Sequence, residues 1–346
     1  MKLASSTAES LAALRSTLTH VPDPSTEVAR PLALLTRCPK AAETPLTEVP
    51  ELATRAGVGS VFVKDERDRM GLGSFKALGA AYVIARDAAD GRASGTTYVT
   101  ASAGNHGMSV AAGAQAFKAR AVVYLAETVP EAFAQRLRDM GAEVRREGAI
   151  YEESMAAAAD AADANGWVLL SDSSWEGYFD RPHTLMEGYL VLMEEAVRQM
   201  PAPPTHIFLQ AGVGGLAAAA AAYARTAWGD APRIIVVEPE VAPPIFASAE
   251  AGTPVVTTGP SSAMGRLDCK EASLIALKGL ARDANAFLTI SEAEGATGAA
   301  VAEEVGLPST PSGAGGLAGL LAADPTALGL DASSRVLLIL SEGPET

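Results

Sequence analysis

The sequence predicts an α/β protein with parallel sheets that helices cover on both faces. Short apolar runs of five to seven residues alternate with longer amphipathic or alanine-rich stretches along the chain. A parallel strand is buried on both faces, so it reads as a continuous apolar run rather than an alternating one. The chain has 346 residues, which corresponds to about two domains of ~150 residues each.

Seven apolar runs are rich in β-branched, aromatic or leucine residues, which indicates strands. They are residues 60–64, 96–101, 120–125, 167–171, 206–210, 233–238 and 335–341. Helices are predicted between them, at residues 75–90, 106–117, 130–140, 151–165, 184–199, 213–227, 292–304 and 313–323. Strand–helix alternation is typical of βαβ units and therefore of parallel sheets.

Composition and charge exclude several classes of function. The chain has 27 Lys and Arg residues against 41 Asp and Glu residues, a formal net charge of −14. Such a surface repels nucleic acid and anionic lipid, so we expect neither as a partner. Cys38 and Cys269 form no CxxC pattern and are predicted to be reduced thiols. The N-terminus lacks the apolar core of a secretory signal, and we expect a cytoplasmic protein.

One lysine follows a glycine-rich stretch, GLGSFKALGAA (71–81). Ser74 is the expected N-cap of the next helix, which puts Lys76 in its first turn. There the helix dipole opposes a cation and favours the neutral amine that Schiff-base chemistry requires. The alternative is an ordinary lysine on the solvated face of an amphipathic helix.

The predicted strand 96–101 ends in a turn of small residues, SAGNHG (102–107). Such turns present N–H groups to an anion at the start of a helix. Asn105 can donate to a ring oxygen or a carboxylate. A structural and a catalytic role both remain open for His106.

A second glycine-rich stretch, AGVGGLA (211–217), follows the predicted strand 206–210. Its spacing is close to the dinucleotide fingerprint, and Glu238 lies about 20 residues on, where a ribose-binding acid is expected. A nicotinamide cofactor therefore remains a rival interpretation. In either case, N–H groups of the glycine-rich turn hold a phosphate at a helix N-terminus.

Two further strand ends carry polar groups. The hydroxyl of Ser341 can hydrogen-bond a neutral aromatic nitrogen. Asp172, Trp175 and Glu176 follow the predicted strand 167–171. Carboxylates beside an aromatic residue indicate a pocket wall, and a helix N-cap with a packed tryptophan is the alternative.

Together these segments resemble the fold-type II pyridoxal-phosphate enzymes, the group of threonine dehydratase and tryptophan synthase β. GSFKALGAA resembles the segment whose lysine holds the cofactor as an imine, and SAGNHG resembles the loop that binds the substrate carboxylate. AGVGG resembles the glycine-rich segment that binds the cofactor phosphate, and LSEG resembles the segment that binds the pyridine nitrogen. The resemblance implies that the cofactor is bound by Lys76, Asn105, Gly212, Val213, Gly214, Gly215 and Ser341. It implies a substrate site formed by Ser102, Ala103, Gly104, His106 and Trp175.

The likeness is greatest to the diaminopropionate ammonia-lyase family and runs from about residue 40 to the end of the chain. It is carried by KDERDRMGLGSFKALG (64–79), SDSSWEGYFDRPHTLMEGY (171–189), LQAGVGG and MGRLDCKEASLIAL (264–277). SDSSWEGY is the most discriminating of these, because ordinary threonine dehydratases lack it. Its aspartate, here Asp172, is a pocket residue in that family.

Two segments depart from the lyase pattern. The lyases carry an aspartate directly before GNHG, which serves as the base for the D-isomer, whereas this chain has Ala103. We therefore expect weak activity on a D-amino acid and a loop of dehydratase type. TPSGAGG (310–316) replaces the acidic GESGA of the lyases, which indicates a β-substituted amino acid other than diaminopropionate as a possible substrate.

The resemblance implies a pyridoxal-phosphate-dependent lyase that eliminates ammonia from a β-substituted amino acid similar to 2,3-diaminopropionate and yields a 2-oxo acid. Lys76 is the candidate base for the Cα proton. Asp172 is the candidate acid for the leaving group, Glu176 is a poorer one, and the cofactor phosphate is a further alternative. The alternative is a dehydratase of L-serine, L-threonine or 3-hydroxyaspartate. A β-replacement synthase or racemase is less favoured, and an NAD(P)-dependent oxidoreductase or a non-enzymatic amino-acid-binding protein is remote.

The resemblance also implies the architecture: two domains, each an open, twisted, mostly parallel sheet flanked by helices. Residues 1–91 and 179–346 would form a large cofactor-binding domain, and residues 92–178 a small mobile domain. A homodimer is the family expectation, with a small amino acid as the substrate. No cluster of metal-ligating residues stands out, so no metal site is predicted.

Overall fold

The computed structural model describes residues 1–344. Residues 345 and 346, the end of the predicted large domain, lie outside this part. The strands are β1 (Lys2–Leu3), β2 (Leu46–Glu48), β3 (Ser60–Asp65), β4 (Thr97–Ala101), β5 (Arg120–Leu125), β6 (Glu143–Arg146), β7 (Val168–Leu169), β8 (His206–Gln210), β9 (Arg233–Pro239), β10 (Ala286–Ile290) and β11 (Arg335–Leu340).

The α-helices cover both sheets. They are α1 (Ala8–Thr17), α2 (Ala29–Leu35), α3 (Pro50–Ala56), α4 (Ala80–Ala89), α5 (Asn105–Ala116), α6 (Glu131–Asp139), α7 (Tyr151–Asn165), α8 (Asp180–Gln199), α9 (Gly215–Trp228), α10 (Pro244–Ala251), α11 (Leu274–Asp283), α12 (Glu292–Glu304), α13 (Gly315–Ala322) and α14 (Pro325–Leu328). Two short 3₁₀ turns, Arg69–Gly71 and Phe75–Leu78, lie between β3 and α4.

The strands form two sheets. One has seven strands in the order β1-β10-β9-β8-β11-β3-β2, and the other has four in the order β6-β5-β4-β7. All pairs are parallel except those of the two outer strands β1 and β2, which are antiparallel. The predicted fold class is therefore confirmed. The domain boundaries near residues 92 and 178, and the mobility of the smaller domain, stay predictions.

All seven predicted strands are present, and four further strands were not predicted. β1 and β2 have only two or three residues at the edge of a sheet, and β6 reads Glu-Val-Arg-Arg because it is an edge strand. β10 is fully buried and has the apolar composition of its neighbours, so its pattern could have been found.

The predicted helix 75–90 is wrong as one continuous element. It begins as the 3₁₀ turn Phe75–Leu78, and α4 starts only at Ala80. The ring of Tyr189 packs directly on Gly79, where a Cβ would lie 2.7 Å from the ring carbon Cε1. This close contact requires glycine at the residue that directly follows Phe75–Leu78, and it separates this turn, which carries Lys76, from α4.

The carboxyl ends of three strands from different sheets meet at one place. β4 belongs to the four-stranded sheet, and β8 and β11 lie next to each other in the seven-stranded sheet. A single apolar core contains side chains of both sheets, among them Tyr98 and Val123 from one and Ile207 and Ile339 from the other. The segments that follow the three strands therefore face each other, as ligand-binding segments do in open α/β sheets. Within residues 1–344, no helix combines the length and apolar character needed to cross a bilayer.

Candidate active site

Lys76 is attached to the end of the last strand, β11. The N–H of Phe75 donates to the carbonyl oxygen of Ser341 at 3.1 Å, and Ser74 forms a β-bridge with Glu342. These backbone contacts bring the lysine of the first motif next to the serine of the last one. Residues that are far apart in the chain thus share one site.

The ammonium of Lys76 forms an ion pair and a hydrogen bond with the carboxylate of Asp172. Burial alone would lower the pKa of Lys76, but the charge of Asp172 outweighs it and the net pKa is raised. Burial alone would likewise raise the pKa of Asp172, and the charge of Lys76 lowers it. The expectation of a lysine kept neutral by a helix dipole is therefore wrong in this arrangement, because the carboxylate holds the proton on the amine. Ser74 takes the predicted N-cap position of Phe75–Leu78, but its hydroxyl makes no capping hydrogen bond.

The Asp172 segment (residues 171–178) is held by side chains on both sides. The hydroxyl of Tyr178 donates to the carbonyl oxygen of Leu169 at 2.8 Å and accepts the N–H of Ser171 at 3.1 Å. Trp175 stacks on Tyr178, with ring centroids 4.4 Å apart and an angle of 17° between the planes. Asp172 itself caps no helix, because α8 begins only at Asp180, so the N-cap alternative does not account for this carboxylate.

Glu176, the poorer acid candidate, points away from Lys76. Its carboxylate pairs with Nε2 of His20 at 2.7 Å, and its side chain is 76% exposed. Asp172 is therefore the carboxylate of this segment that the structure brings to Lys76.

The asparagine loop (residues 102–106) connects β4 to α5. The amide of Asn105 donates to the carboxylate of Glu342, and the hydroxyl of Ser102 accepts the N–H of Gly104 at 3.3 Å. Ala103 is half-buried and packs against the apolar core. The loop thus reaches the end of β11 through Asn105.

His106 is buried and points toward the Asp172 segment. Its Nε2 lies 2.8 Å from the carbonyl oxygen of Leu170, and a carbonyl only accepts, so Nε2 carries the hydrogen. Burial lowers the pKa of the imidazole, which keeps the ring neutral. His106 therefore contacts the backbone two residues before Asp172.

The glycine-rich turn (residues 212–215) connects β8 to α9, a helix of 14 residues. Gly214 has a φ of +94°, a conformation that favours glycine. A Cβ on Gly212 would lie 3.0 Å from the carbonyl oxygen of Arg266 and 3.1 Å from Sγ of Cys269. N–H groups of such a turn at a helix N-terminus are suited to a phosphate.

Glu238 does not take the position of a ribose-binding acid. It is buried and accepts the N–H groups of Ile245 at 3.0 Å and Phe246 at 2.6 Å. Burial raises its pKa to about 8. Its oxygens cap the start of α10 instead of facing the glycine-rich turn. The dinucleotide interpretation therefore lacks the acid that it requires for the ribose.

Ser341 is buried beside Gln210 at the ends of β11 and β8. The amide of Gln210 donates to the hydroxyl of Ser341 at 3.1 Å, and also to two backbone carbonyl oxygens. Because the serine oxygen accepts this bond, its own O–H can still donate to a ligand.

Three residues near these motifs were missed by the sequence analysis. Glu342 is buried and accepts from Asn105 and from the hydroxyl of Thr310. Nε of Arg266 lies 3.7 Å from the same carboxylate. Tyr189 lies beside Lys76, with Nζ 5.9 Å from the ring centroid. All three stand inside segments that carry the family resemblance, but residue type alone did not distinguish them there.

A cavity of about 300 Å³ opens beside Glu342. It is lined by Arg266 and by the segment that departs from the lyase pattern, including Thr310 and Ser312. Its hydroxyl and charged groups make it a polar space next to the asparagine loop. Among residues 1–344, no group of three or more His, Cys, Asp or Glu side chains is placed to hold a metal ion.

The side chains assembled here suit pyridoxal phosphate. Lys76 supplies an amine for the aldehyde, and the glycine-rich turn supplies N–H groups for the phosphate. The hydroxyl of Ser341 suits an aromatic nitrogen, and the amide of Asn105 suits a ring oxygen.

Comparisons with known proteins agree with this fit. Residues 39–342 match the model of the family described as "Pyridoxal-phosphate dependent enzyme". The chain is 33% identical to the diaminopropionate ammonia-lyase of Salmonella typhimurium over 90% of this chain and 88% of that protein. It is 31% identical to a biosynthetic L-threonine dehydratase of Pasteurella multocida, over 61% of this chain and 39% of that protein.

A solved structure is also similar. The diaminopropionate ammonia-lyase of Escherichia coli, in complex with an aminoacrylate-PLP azomethine reaction intermediate, superposes with a TM-score of 0.84. The identity is 30%, and the match covers 92% of this chain and 88% of that one.

Proposed function

This chain belongs to the family of pyridoxal-phosphate-dependent enzymes, and we propose that it is an ammonia-lyase. Its reaction would be α,β-elimination of ammonia from a β-substituted amino acid similar to 2,3-diaminopropionate, which gives a 2-oxo acid. The relatives that match over most of the chain carry the name diaminopropionate ammonia-lyase, and this supports the proposal.

The pairing of Lys76 with Asp172 carries the proposal. Elimination needs a base for the Cα proton and a proton donor for the leaving group. The two side chains are in direct contact, and Asp172 belongs to the segment that distinguishes the lyases from ordinary threonine dehydratases. A pocket for binding alone would need no such pair.

Pyridoxal phosphate, when bound, supplies an electron sink that makes the Cα proton of an amino acid removable. Lys76 is the proposed base for this proton. While Lys76 is charged, the pKa of Asp172 is held below its usual range. Transfer of the Lys76 proton to Asp172 would leave a neutral amine as the base, and burial then raises the pKa of Asp172, so that the carboxyl group holds this proton for the leaving amine. Uptake of the Cα proton by Lys76 and release of the Asp172 proton would restore the charged pair.

We propose that the remaining site residues bind the cofactor and orient the substrate. We assign the phosphate to Gly212, Val213, Gly214 and Gly215, the ring nitrogen to Ser341 and the ring oxygen to Asn105. The substrate carboxylate is assigned to the asparagine loop, with Ser102, Ala103, Gly104 and His106, and Trp175 is assigned to the pocket wall. Ser341 carries no charge, so it leaves the ring nitrogen neutral, which favours rapid elimination.

A dehydratase of hydroxy amino acids is the second candidate. Ala103 supports it, because the lyase pattern has an acid at this position and this loop has a half-buried methyl group. The hydroxyl groups of Thr310 and Ser312 in the adjoining cavity are also compatible with a hydroxylated substrate.

The test is a visible spectrum of the purified protein followed by an assay for 2-oxo acid and ammonia. The substrates are L- and D-diaminopropionate, L-serine, L-threonine and threo-3-hydroxyaspartate. Turnover of L-diaminopropionate well above that of the D-isomer and the hydroxy amino acids is the expected result. Turnover of hydroxy amino acids alone would replace the lyase by the dehydratase. A coloured protein that forms a 2-oxo acid from none of them would overturn both.

We further propose a homodimer in the cytoplasm, with the four-stranded sheet and its helices closing over the substrate. The family resemblance supports the dimer, and the acidic composition supports a partner that is a small molecule. Sedimentation equilibrium at several protein concentrations tests the dimer.

A further inference from the structure

Two serines that are 99 positions apart meet in the interior of the protein. Ser174, in the Asp172 segment, and Ser273, before α11, are both almost completely buried. Their hydroxyl groups hydrogen-bond to each other at 2.7 Å. The N–H of Ser174 also donates to the hydroxyl of Ser273 at 3.1 Å. The two residues are therefore joined by two hydrogen bonds, one between their hydroxyl groups and one from the Ser174 backbone, with no access to water.

Ser174 supplies the N-terminal cap of α11. The N–H of Ile275 donates to the hydroxyl of Ser174 at 3.0 Å, and the N–H of Leu274 donates to its carbonyl oxygen at 3.0 Å. Ser273, at the N-cap position, makes no capping bond with its own side chain. Because the first N–H groups of a helix lack partners within it, α11 depends on the Asp172 segment for its cap.

Ser273 reaches the glycine-rich turn through its backbone. Its N–H donates to the carbonyl oxygen of Val213 at 3.0 Å. The peptide between Val213 and Gly214 is trans and planar, so its carbonyl and its N–H point in opposite directions. The bond from Ser273 therefore fixes the orientation of the Gly214 N–H, which faces away from α11.

The other end of this chain of contacts is Asp172. It precedes Ser174 by two residues, and its carbonyl oxygen would lie 3.9 Å from a Cβ on Gly215. The backbone of Asp172 thus packs against the first residue of α9. The carboxylate beside Lys76 and the turn assigned to the phosphate are supported by the same pair of serines.

We propose that Ser174 and Ser273 form a clasp that joins the Asp172 segment to the glycine-rich turn, so that phosphate binding and the placement of Asp172 depend on each other. Both serines are positioning residues, since neither contacts Lys76. The inference rests on the proposed function for the role of Asp172, but its main measurement, cofactor affinity, does not require turnover.

The energetic reason lies in burial. Removing one hydroxyl leaves a buried N–H without an acceptor, which costs more than the bond itself was worth. In Ser174→Ala the donor left behind is the N–H of Ile275, and in Ser273→Ala it is the N–H of Ser174. Either change loosens the clasp although neither removes a group that binds the phosphate.

The experiment measures the dissociation constants of the full-length protein for pyridoxal phosphate and for pyridoxal, after removal of the cofactor. We expect Ser174→Ala and Ser273→Ala each to raise the dissociation constant for pyridoxal phosphate on the order of tenfold. The affinity for pyridoxal, which lacks the phosphate, should change less than twofold or so. In the double variant, the fold-loss of cofactor affinity should be smaller than the product of the two single fold-losses, because both substitutions break the same pair of residues.

Ser248→Ala is the matched control. Ser248 is also fully buried, and it bonds the carbonyl oxygen of Pro244 and the N–H of Val255, away from the clasp. It should lower the melting temperature without changing cofactor affinity. If the clasp variants change both affinities equally, or change neither more than Ser248→Ala does at similar loss of melting temperature, the clasp is only a helix cap and the proposal is wrong.

Steady-state kinetics test the link between the clasp and Asp172. With saturating cofactor, Ser273→Ala should lower kcat severalfold with little change in KM, although Ser273 is outside the Asp172 segment. Unchanged kcat in this variant would contradict the link to Asp172. A wild-type protein that turns over no amino acid would contradict the proposed function instead, while the affinity measurements would still decide the clasp.

Discussion

Two ion-paired regions, whose lysines Lys64 and Lys76 are 12 positions apart in the sequence, differ in how completely their hydrogen bonds are satisfied. In the first, Lys64 donates to Glu195, Gln199 and the carbonyl oxygen of Thr44, at 2.7 to 2.9 Å. Arg69 forms paired hydrogen bonds with both Glu66 and Glu195 at 2.7 to 2.8 Å. The side chains of Lys64 and Glu195 are 0% and 2% exposed.

The second region is the pair of Lys76 and Asp172. Lys76 donates to one carboxylate, and its ammonium otherwise lies near the rings of Phe75 and Tyr189, at 5.2 and 5.9 Å from the centroids. The two side chains are 21% and 17% exposed.

The difference separates a structural cluster from the pair proposed to be reactive. The donors and acceptors of the buried network (Lys64, Glu66, Arg69 and Glu195) are paired inside the protein. They are therefore not positioned to bind a ligand. Lys76 and Asp172 have few other partners and remain accessible. A bound ligand can therefore take the place of either side chain as the partner of the other. Lys64, Glu66 and Arg69 stand in the same family-like segment (64–79) as Lys76, and only their surroundings distinguish them.

The largest effect is expected for Lys76→Ala. Without the amine, the cofactor has no covalent attachment and the Cα proton has no base, so turnover should fall more than about a thousandfold. The visible band that resists gel filtration should disappear. Lys40→Ala, at an exposed lysine, is the control and should keep both. A Lys76→Ala protein with normal turnover would remove Lys76 from the mechanism.

The next effect is expected for Asp172→Asn. Asparagine keeps the size of the side chain but cannot carry a proton, so kcat should fall by about 10² to 10⁴. The free energy of unfolding should fall less than in Glu195→Gln, because both side chains of this ion pair are partly exposed. Steady-state kinetics and urea denaturation of the same preparation test this. Unchanged kcat would assign the leaving-group proton to another donor.

Glu195→Gln should show the opposite pattern. It removes the ion-pair partner of Lys64 and leaves Arg69 paired with Glu66 alone, which is expected to cost about 3–5 kcal/mol in the free energy of unfolding. Activity per folded molecule should be nearly retained. Urea denaturation measures the loss, and a change below that of a surface variant would show that the network is not a source of stability.

The network should also make stability depend on acid. Burial alone would raise the pKa of Glu195, but Arg69 and Lys64 lower it below its usual range. Its contribution to stability is therefore present above the unfolded-state pKa, near 4.3, and is lost as the pH falls through the lower folded-state pKa. Wild type should lose stability below about pH 4.3 more steeply than Glu195→Gln. Equal slopes in urea titrations at each pH would contradict this.

The smallest effect is expected for Glu176→Gln. Its pair with His20 is largely exposed, and exposed ion pairs contribute little to stability. Stability and kcat should both remain close to wild type, in contrast to Glu195→Gln and Asp172→Asn. A large fall in kcat would restore Glu176 as the acid and displace Asp172.

The sequence by itself determined what depends on neighbouring residues. Strands such as 120–125 and helices such as 151–165 were predicted with their observed bounds, because burial on both faces and helical periodicity are local patterns. The glycine-rich turn was also predictable, since a strand that runs into closely spaced glycines before a helix has few other uses. The family resemblance then indicated the cofactor.

The tertiary structure decided which groups meet. Lys76 and Asp172 are 96 positions apart, Asn105 and Glu342 are 237 apart, and Ser174 and Ser273 are 99 apart. No local pattern links such residues, because their contact depends on how two sheets pack with three strand ends together. The charge state of Lys76 followed from this packing: a helix dipole was the local expectation, but a carboxylate in direct contact acts more strongly on the amine than a dipole end does.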